Sequence, residues 1–214
     1  MYKIAYIDES KRDRDNFQRY LRASNFNDFE LHVLEPQPDL SNFVSDILSS
    51  HYMAIIVDFH LSEKKPSIHY DGWDLAKEIL AFREGLPMFI LTAYDIDAIM
   101  GSDDVRLVYD KKSAIHSDSY IFLDRVKRQI QVFKKQVDDA ERRLLELITL
   151  SNVQGLNVVE EEELIKLDNF IEKSLSKKNP MPNKFKSLSN ETRLDKIIDL
   201  LDRIDKTIQK VNNK

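Results

Sequence analysis

The chain has 214 residues with no cysteine, 4 glycines and 6 prolines, which excludes disulfide-stapled, thiolate-metal, collagen-like and low-complexity classes. Hydrophobic residues at 42% and charged residues at 32% suit a globular protein with a real core and one or two domains. The net charge of −5 hides a split: residues 1–124 carry 13 Lys and Arg against 22 Asp and Glu, and residues 125–214 carry 19 against 15.

Residues 3–7 form an apolar run that stops at the acidic pair Asp8 and Glu9, the pattern of a first strand. Residues 12–23 follow as a helix with Phe17, Tyr20 and Leu21 on one stripe, and residues 31–34 suit a second strand. Residues 40–50 place Phe43, Val44, Ile47 and Leu48 at helical spacing. Residues 53–57 are unbroken apolar, as expected of a central strand buried on both faces, and end at Asp58. A loop leads to Asp71 and Gly72, then to a helix over 73–82. Pro87 opens a strand over 88–91 that ends at Thr92, and residues 105–109 complete the set just before Lys111. Short strands alternating with helices predict an α/β fold, a five-stranded doubly wound parallel sheet.

The pattern changes near residue 119. Leu123, Val126, Ile130, Phe133, Val137, Ala140, Leu144 and Leu147 step by three and four, a heptad seam on a helix of about 30 residues or ~45 Å. Gly155 interrupts it, and a second helix over 159–175 turns Leu164, Leu167, Ile171 and Leu175 inward. Pro180 and Pro182 mark a linker, and Ser189 caps a last helix whose seam is Leu194, Ile197, Leu201, Ile204, Ile208 and Val211. The expected division is therefore 1–125 for the α/β domain and 126–214 for an all-α helical or coiled-coil region. The seams suit either a coiled-coil dimer or an intramolecular bundle, and Phe133 with Ala140 gives uneven packing that a bundle tolerates better.

Functional residues of such sheets gather at the carboxyl ends of the strands, here Asp8, Glu9, Asp58, Thr92 and Lys111 or Lys112. At an effective dielectric near 20, two carboxylates about 4 Å apart repel by roughly 4 kcal/mol, so a converging set calls for a hard cation; oxygen ligands with water suit magnesium. An ion there could draw a phosphoryl group onto the central carboxylate, giving an aspartyl phosphate, with Thr92 and a lysine holding its other oxygens.

These residues resemble the receiver domain of two-component response regulators. The resemblance covers roughly residues 1–125 and rests on Asp8-Glu9, Asp58, Thr92-Ala93, the lysine after the last strand, Asp71-Gly72 and Pro87. It implies that Asp58 is the phosphoacceptor, and that Asp8, Glu9, Asp58 and the His60 backbone carbonyl hold Mg2+. It further implies that Thr92 is the switch hydroxyl, that Ala93 supplies the small residue beside the phosphoryl group, and that Lys111, or alternatively Lys112, binds that group. The implied partners are a histidine kinase or phosphotransfer protein and an effector protein contacted by the helical tail, with a homodimer as an option.

Departures from the family pattern are a long loop after Asp58 carrying His60, Lys64, Lys65 and His69, and a lysine not followed by proline. The aromatic switch position falls on Val108 if Lys111 is the matching lysine and on Tyr109 if Lys112 is. The short stretch between Thr92 and Lys111 leaves room only for a stunted fourth helix. His60 and His69 lack zinc spacing, Trp73 suits packing, and the run from Glu160 to Glu163 suits a solvated helix start.

No Gly-x-Ser-x-Gly elbow, Walker glycine loop or His-Glu-x-x-His helix occurs, so the expectation is a signalling switch and not an enzyme. Two alternatives remain: a transcription regulator whose tail binds DNA, and a scaffold on a receiver that is never phosphorylated. Against nucleic acid, the tail lacks a helix-turn-helix, and its densest basic piece (Lys173, Lys177, Lys178, Lys184, Lys186) is a proline-containing linker. The N-terminus lacks the apolar stretch of a signal peptide, and no apolar run approaches the roughly 18 residues of a membrane span, so the expected location is the cytoplasm, away from membranes.

Overall fold

The computed structural model describes residues 1–24, 26–93, 108–115 and 120–174. Its elements in chain order are β1 (Tyr2–Ile7), α1 (Lys11–Ala23), β2 (Phe29–Leu34), α2 (Leu40–Ser49), β3 (Ala54–Asp58) and α3 (Gly72–Phe82), then β4 (Met88–Thr92), β5 (Val108–Asp110), α4 (Lys111–Ile115), α5 (Ile121–Gln154) and α6 (Val158–Ser174). The five strands form one sheet in the order β2-β1-β3-β4-β5, every pair parallel. This is the flavodoxin-like doubly wound order, and a helical C-terminal region follows it. The expected fold class is the observed one.

Strand alternation sorts the core into two layers. Ala5, Ile7, Ile55, Val57, Met88, Ile90 and Val108 face α2 and α3, packing on Phe43, Val44, Ile47, Leu75 and Ile79. Ile4, Tyr6, Ala54, Ile56, Phe89 and Leu91 face α1 and α5, packing on Phe17, Leu21, Phe122, Leu123, Val126 and Ile130. The central strands β3 and β4 are buried at every position, which explains their unbroken apolar sequence.

Over the described residues the chain divides into two compact units, one within 1–140 together with 170–174, and one over 141–169. In the first unit, Leu123, Val126 and Ile130 cover the sheet and so do not form a helix–helix seam. A stripe of apolar residues at heptad spacing fits a sheet face as well as a second helix, and the sheet takes these first three residues of it. At the end of α6, Arg83 donates from Nε to the Ser174 carbonyl at 2.9 Å and from Nη1 to the Tyr52 carbonyl, while Lys173 pairs with Glu84 at 2.8 Å.

In the second unit, Gly155 ends α5 with φ +81, a left-handed conformation that glycine adopts without strain. Asn157 and Glu160 then form a reciprocal cap: the Glu160 amide donates to Asn157 Oδ1 at 3.0 Å, and the Asn157 amide donates to Glu160 Oε2 at 2.9 Å. Glu163 receives both Nε and Nη2 of Arg143 at 2.9 Å. The acidic run is thus a cap and an ion pair as well as a solvated helix start. Several expectations lie outside the described residues: the start of the last strand at Val105, the stunted fourth helix, Leu175, the lysine-rich linker, and the final seam from Leu194 to Val211.

Candidate functional site

The carboxyl ends of β1, β3, β4 and the start of α4 bring the acidic and basic residues together. Val57 stands opposite Ile7, Asp58 opposite Leu91, and Thr92 opposite Asp110, so Asp8, Asp58, Thr92 and Lys111 fall on one edge of the sheet. Asp8, Glu9, Asp58 and Thr92 are all buried. Lys111 Nζ lies 2.7 Å from Asp8 Oδ2 and 2.7 Å from Asp58 Oδ1. Lys112, the adjacent residue, is exposed, so the residue that reaches the carboxylates is Lys111. With that register Val108 is the buried position facing α2 and α3. Tyr109 instead packs between Phe89 and Phe122, with centroids 5.7 Å from each.

Asp8 is fully buried and held by four donors. The Tyr6 hydroxyl donates to Oδ2 and the Ser10 amide to Oδ1, each at 2.7 Å, in addition to Lys111. Arg14 Nη1 donates to the Asp8 carbonyl at 2.5 Å. Asp58 Oδ2 accepts from the His60 amide at 2.9 Å. Ala93 is exposed directly after Thr92.

Two contributors went unnoticed in the sequence. Tyr6 precedes Asp8 by two residues on the same strand face, so the period-two rule could have found it. Asp13, in the first turn of α1, brings a further carboxylate to within 3.2 Å of Lys111 Nζ, and its only sequence signal was a helix-start acid.

Gly72 holds this edge close. The Cβ of any other residue there would lie 2.2 Å from the Asp58 carbonyl oxygen, and the Gly72 amide donates to the Phe59 carbonyl at 2.8 Å. Only glycine lets α3 start against the end of β3. Asp71 and Asp74 cap α3 reciprocally, so the Asp71-Gly72 pair serves both the helix start and the site. The long loop after Asp58 is anchored by Leu61, Ile68 and Tyr70 in the core, and the Tyr70 hydroxyl donates to the Gln37 carbonyl at 2.6 Å. Its lysines point to acids: Lys64 lies 3.9 Å from Glu9 Oε1, and Lys65 pairs with Glu35.

Burial dominates the electrostatics. It pushes the Asp58 carboxyl up to about 6; Lys111 opposes the rise and Asp8 adds to it. Burial, with the neighbouring Asp8 charge, pushes Glu9 up to about 7. For Lys111 burial acts downward, but Asp58 and Asp8 outweigh it and hold the ammonium above its ordinary value. Burial and Asp8 raise the Tyr6 phenol well above its usual range, so it remains a donor.

The residues fit a hard divalent cation by donor chemistry. Asp8, Glu9 and Asp58 present carboxylate oxygens, and Glu9 Oε2 is buried with no hydrogen-bond partner. Among the described residues no three His, Asp or Glu side chains are already drawn together as a cation cage; Lys111 bridges two of the acids.

No family model matches the chain, and no curated protein matches it. Among solved structures, a two-component transcriptional regulator AraC from Clostridium phytofermentans ISDg is similar over 64% of this chain and 97% of its own, at 16% identity and a TM-score of 0.45. RcsB from Salmonella enterica serovar Typhimurium, bound to promoter P1flhDC in the presence of phosphomimetic BeF3-, is similar over 83% of this chain and 93% of its own, at 13% identity and a TM-score of 0.42.

Proposed function

We propose that residues 1–125 are a magnesium-dependent receiver domain of a two-component response regulator, and that the helical region after it contacts an effector protein. The observation that carries this reading is one ammonium, Lys111, held 2.7 Å from both a strand-one acid and a strand-three acid at the carboxyl edge of the sheet. A purely structural ion pair needs one acid. Three acids around one lysine leave excess negative charge, which a cation and then a phosphoryl group would use.

Asp58 is the nucleophile. One of its oxygens forms a bond to phosphorus as the bond from phosphorus to the donor breaks: a P–N bond of a phosphohistidine on a partner kinase, or the P–O bond of an acyl phosphate. The leaving group keeps the electron pair, and a departing imidazole takes its proton from water. A bound Mg2+ supplies charge neutralisation to the phosphoryl oxygens, and Asp8, Glu9, Asp58 and the His60 carbonyl are the residues that would hold it.

Lys111 exchanges its contact with Asp58 for the phosphoryl oxygens, the Thr92 hydroxyl follows, and Ala93 leaves space beside them. The product adds about −1.5 to −2 of charge to the edge. The site is a switch and not a turnover enzyme. Among the described residues no helix is long and apolar enough to cross a membrane.

Incubation with MgCl2 and acetyl phosphate, followed by intact-mass analysis, tests the reading. The expected result is one added phosphoryl group that Asp58→Ala abolishes; no mass gain, or a gain that survives Asp58→Ala, overturns it. A tail that answers to the switch would bind its effector differently before and after this treatment. A scaffold on an unphosphorylated receiver would instead bind identically in the wild type and Asp58→Ala.

A further inference from the structure

Tyr6 touches the site through Asp8 but takes no part in the phosphoryl chemistry. The side chain is completely buried in the layer facing α1 and α5, where the other buried residues of the sheet, Ile4, Phe29, Ala54, Ile56, Phe89 and Leu91, are apolar. Its ring stacks on Phe17 with centroids 4.2 Å apart and planes 9° from parallel, a contact that phenylalanine would make equally well. The hydroxyl is therefore not needed for packing, and a buried hydroxyl is costly unless it is bonded. It is bonded to one group alone as donor, Asp8 Oδ2, at 2.7 Å.

That oxygen also accepts from Lys111 Nζ at 2.7 Å, so two donors meet on Oδ2. Oδ1 accepts from the Ser10 amide at 2.7 Å. A carboxylate offers about two acceptor positions per oxygen. Tyr6 and Lys111 thus fill Oδ2, while Oδ1 keeps one position beyond the Ser10 bond. Of the two donors on Oδ2, Lys111 is shared with Asp58 and Asp13, whereas Tyr6 is committed to Asp8.

We propose that Tyr6 is a positioning residue of the cation site: its hydroxyl fixes the rotation of the Asp8 carboxylate, reserving Oδ1 for a divalent cation. It also remains as the donor to Oδ2 when Lys111 leaves for a phosphoryl group. The inference rests on Asp8 being a cation ligand. Partners that orient a ligating carboxylate typically contribute 10–100-fold to metal affinity, and a single neutral hydrogen bond belongs at the lower end.

Calorimetric titration of the full chain with MgCl2 alone, without phosphodonor, tests it on three proteins. Tyr6→Phe keeps the ring and its stack and loses the hydroxyl; Phe17→Leu loses the stack and keeps the hydroxyl. The expected result is saturable binding by the wild type, binding about tenfold weaker in Tyr6→Phe, and wild-type affinity in Phe17→Leu despite a lower melting temperature. Equal affinity in Tyr6→Phe and wild type overturns the inference while leaving the cation reading intact. Equal weakening in both variants also overturns it, because a packing role would then suffice. Absence of binding by the wild type overturns the cation reading and the inference with it. Should Tyr6→Phe fail to fold, Tyr6→Leu, which loses hydroxyl and stack together, is judged against Phe17→Leu, which loses the stack alone: weaker binding than in Phe17→Leu supports the inference, and equal binding overturns it.

Discussion

Asp8 and Glu9 are adjacent in the chain and buried side by side, but only one of them is satisfied. Asp8 has a hydroxyl, an ammonium and an amide on its carboxylate; Glu9 Oε2 has nothing, and its nearest cation is Lys64 at 3.9 Å. Because burial and Asp8 raise Glu9 to about 7 from an ordinary 4.5, the folded state binds its proton more tightly than the unfolded state. Its ionisation therefore opposes folding: the cost is absent below about pH 4.5, grows through the interval, and is complete above about pH 7. Without divalent cations, Glu9→Gln is expected to raise stability at pH 8 by about 1–2 kcal/mol, and the advantage is expected to vanish near pH 4.5. Urea midpoints of the two proteins at pH 5, 6.5 and 8 measure this, and an advantage that does not change with pH contradicts it. The acidic pair could be recognised in the sequence because two carboxylates follow an apolar run. Which of the two is solvated by protein donors depends on Tyr6 and Lys111, the latter 103 residues away from Asp8.

The helices carry consequences of the same kind. The apolar periods of α1, α2 and α3 located all three to within a residue, since each buries a single stripe. What periodicity could not reveal is why α3 begins with Gly72. The 2.2 Å approach of a Cβ to the Asp58 carbonyl means that Gly72→Ala must push α3 off the end of β3. The expected outcome is a loss of about 2–4 kcal/mol with reduced phosphorylation of Asp58, measured by urea denaturation and intact mass; an unchanged midpoint would show that the helix start is not tight. Arg83 is equally silent in the sequence, a lone arginine beyond a helix. In the fold it is buried, with burial lowering its guanidinium to about 10, and it caps the last carbonyl of α6. Arg83→Ala is expected to speed amide exchange in residues 170–174, leaving α3 as protected as before.

For the molecule as a whole, the acidic first part now has a specific meaning. Residues 1–124 hold nine more acids than bases, and three of those acids, Asp8, Glu9 and Asp58, stand buried at one sheet edge, with Lys111 against two of them. A ligand bound only by the folded state stabilises it, so MgCl2 at ten times its Kd is expected to add about 1.4 kcal/mol, or roughly 3–6 °C in melting temperature for a chain of this size. The increment is expected to disappear in Asp58→Asn. A differential melting scan with and without magnesium decides it, and an equal rise in the variant would place the ion elsewhere.

Local patterns in the chain were enough to determine the element order, the doubly wound sheet and the acids at the strand ends. Each of these follows from a periodicity of two or 3.6 residues, or from the rule that functional groups sit where parallel strands end. Distance in the sequence hides the rest. The contact of Lys111 with Asp8, Asp13 and Asp58 became definite only when β5 took its register beside β4, which turned Lys111 inward and left Lys112 outside. Leu123, Val126 and Ile130 read as part of a helical seam, for a coiled-coil dimer or an intramolecular bundle, and only the folded sheet shows that it is their partner. A heptad stripe records that an apolar surface must be covered, and the tertiary structure decides by what.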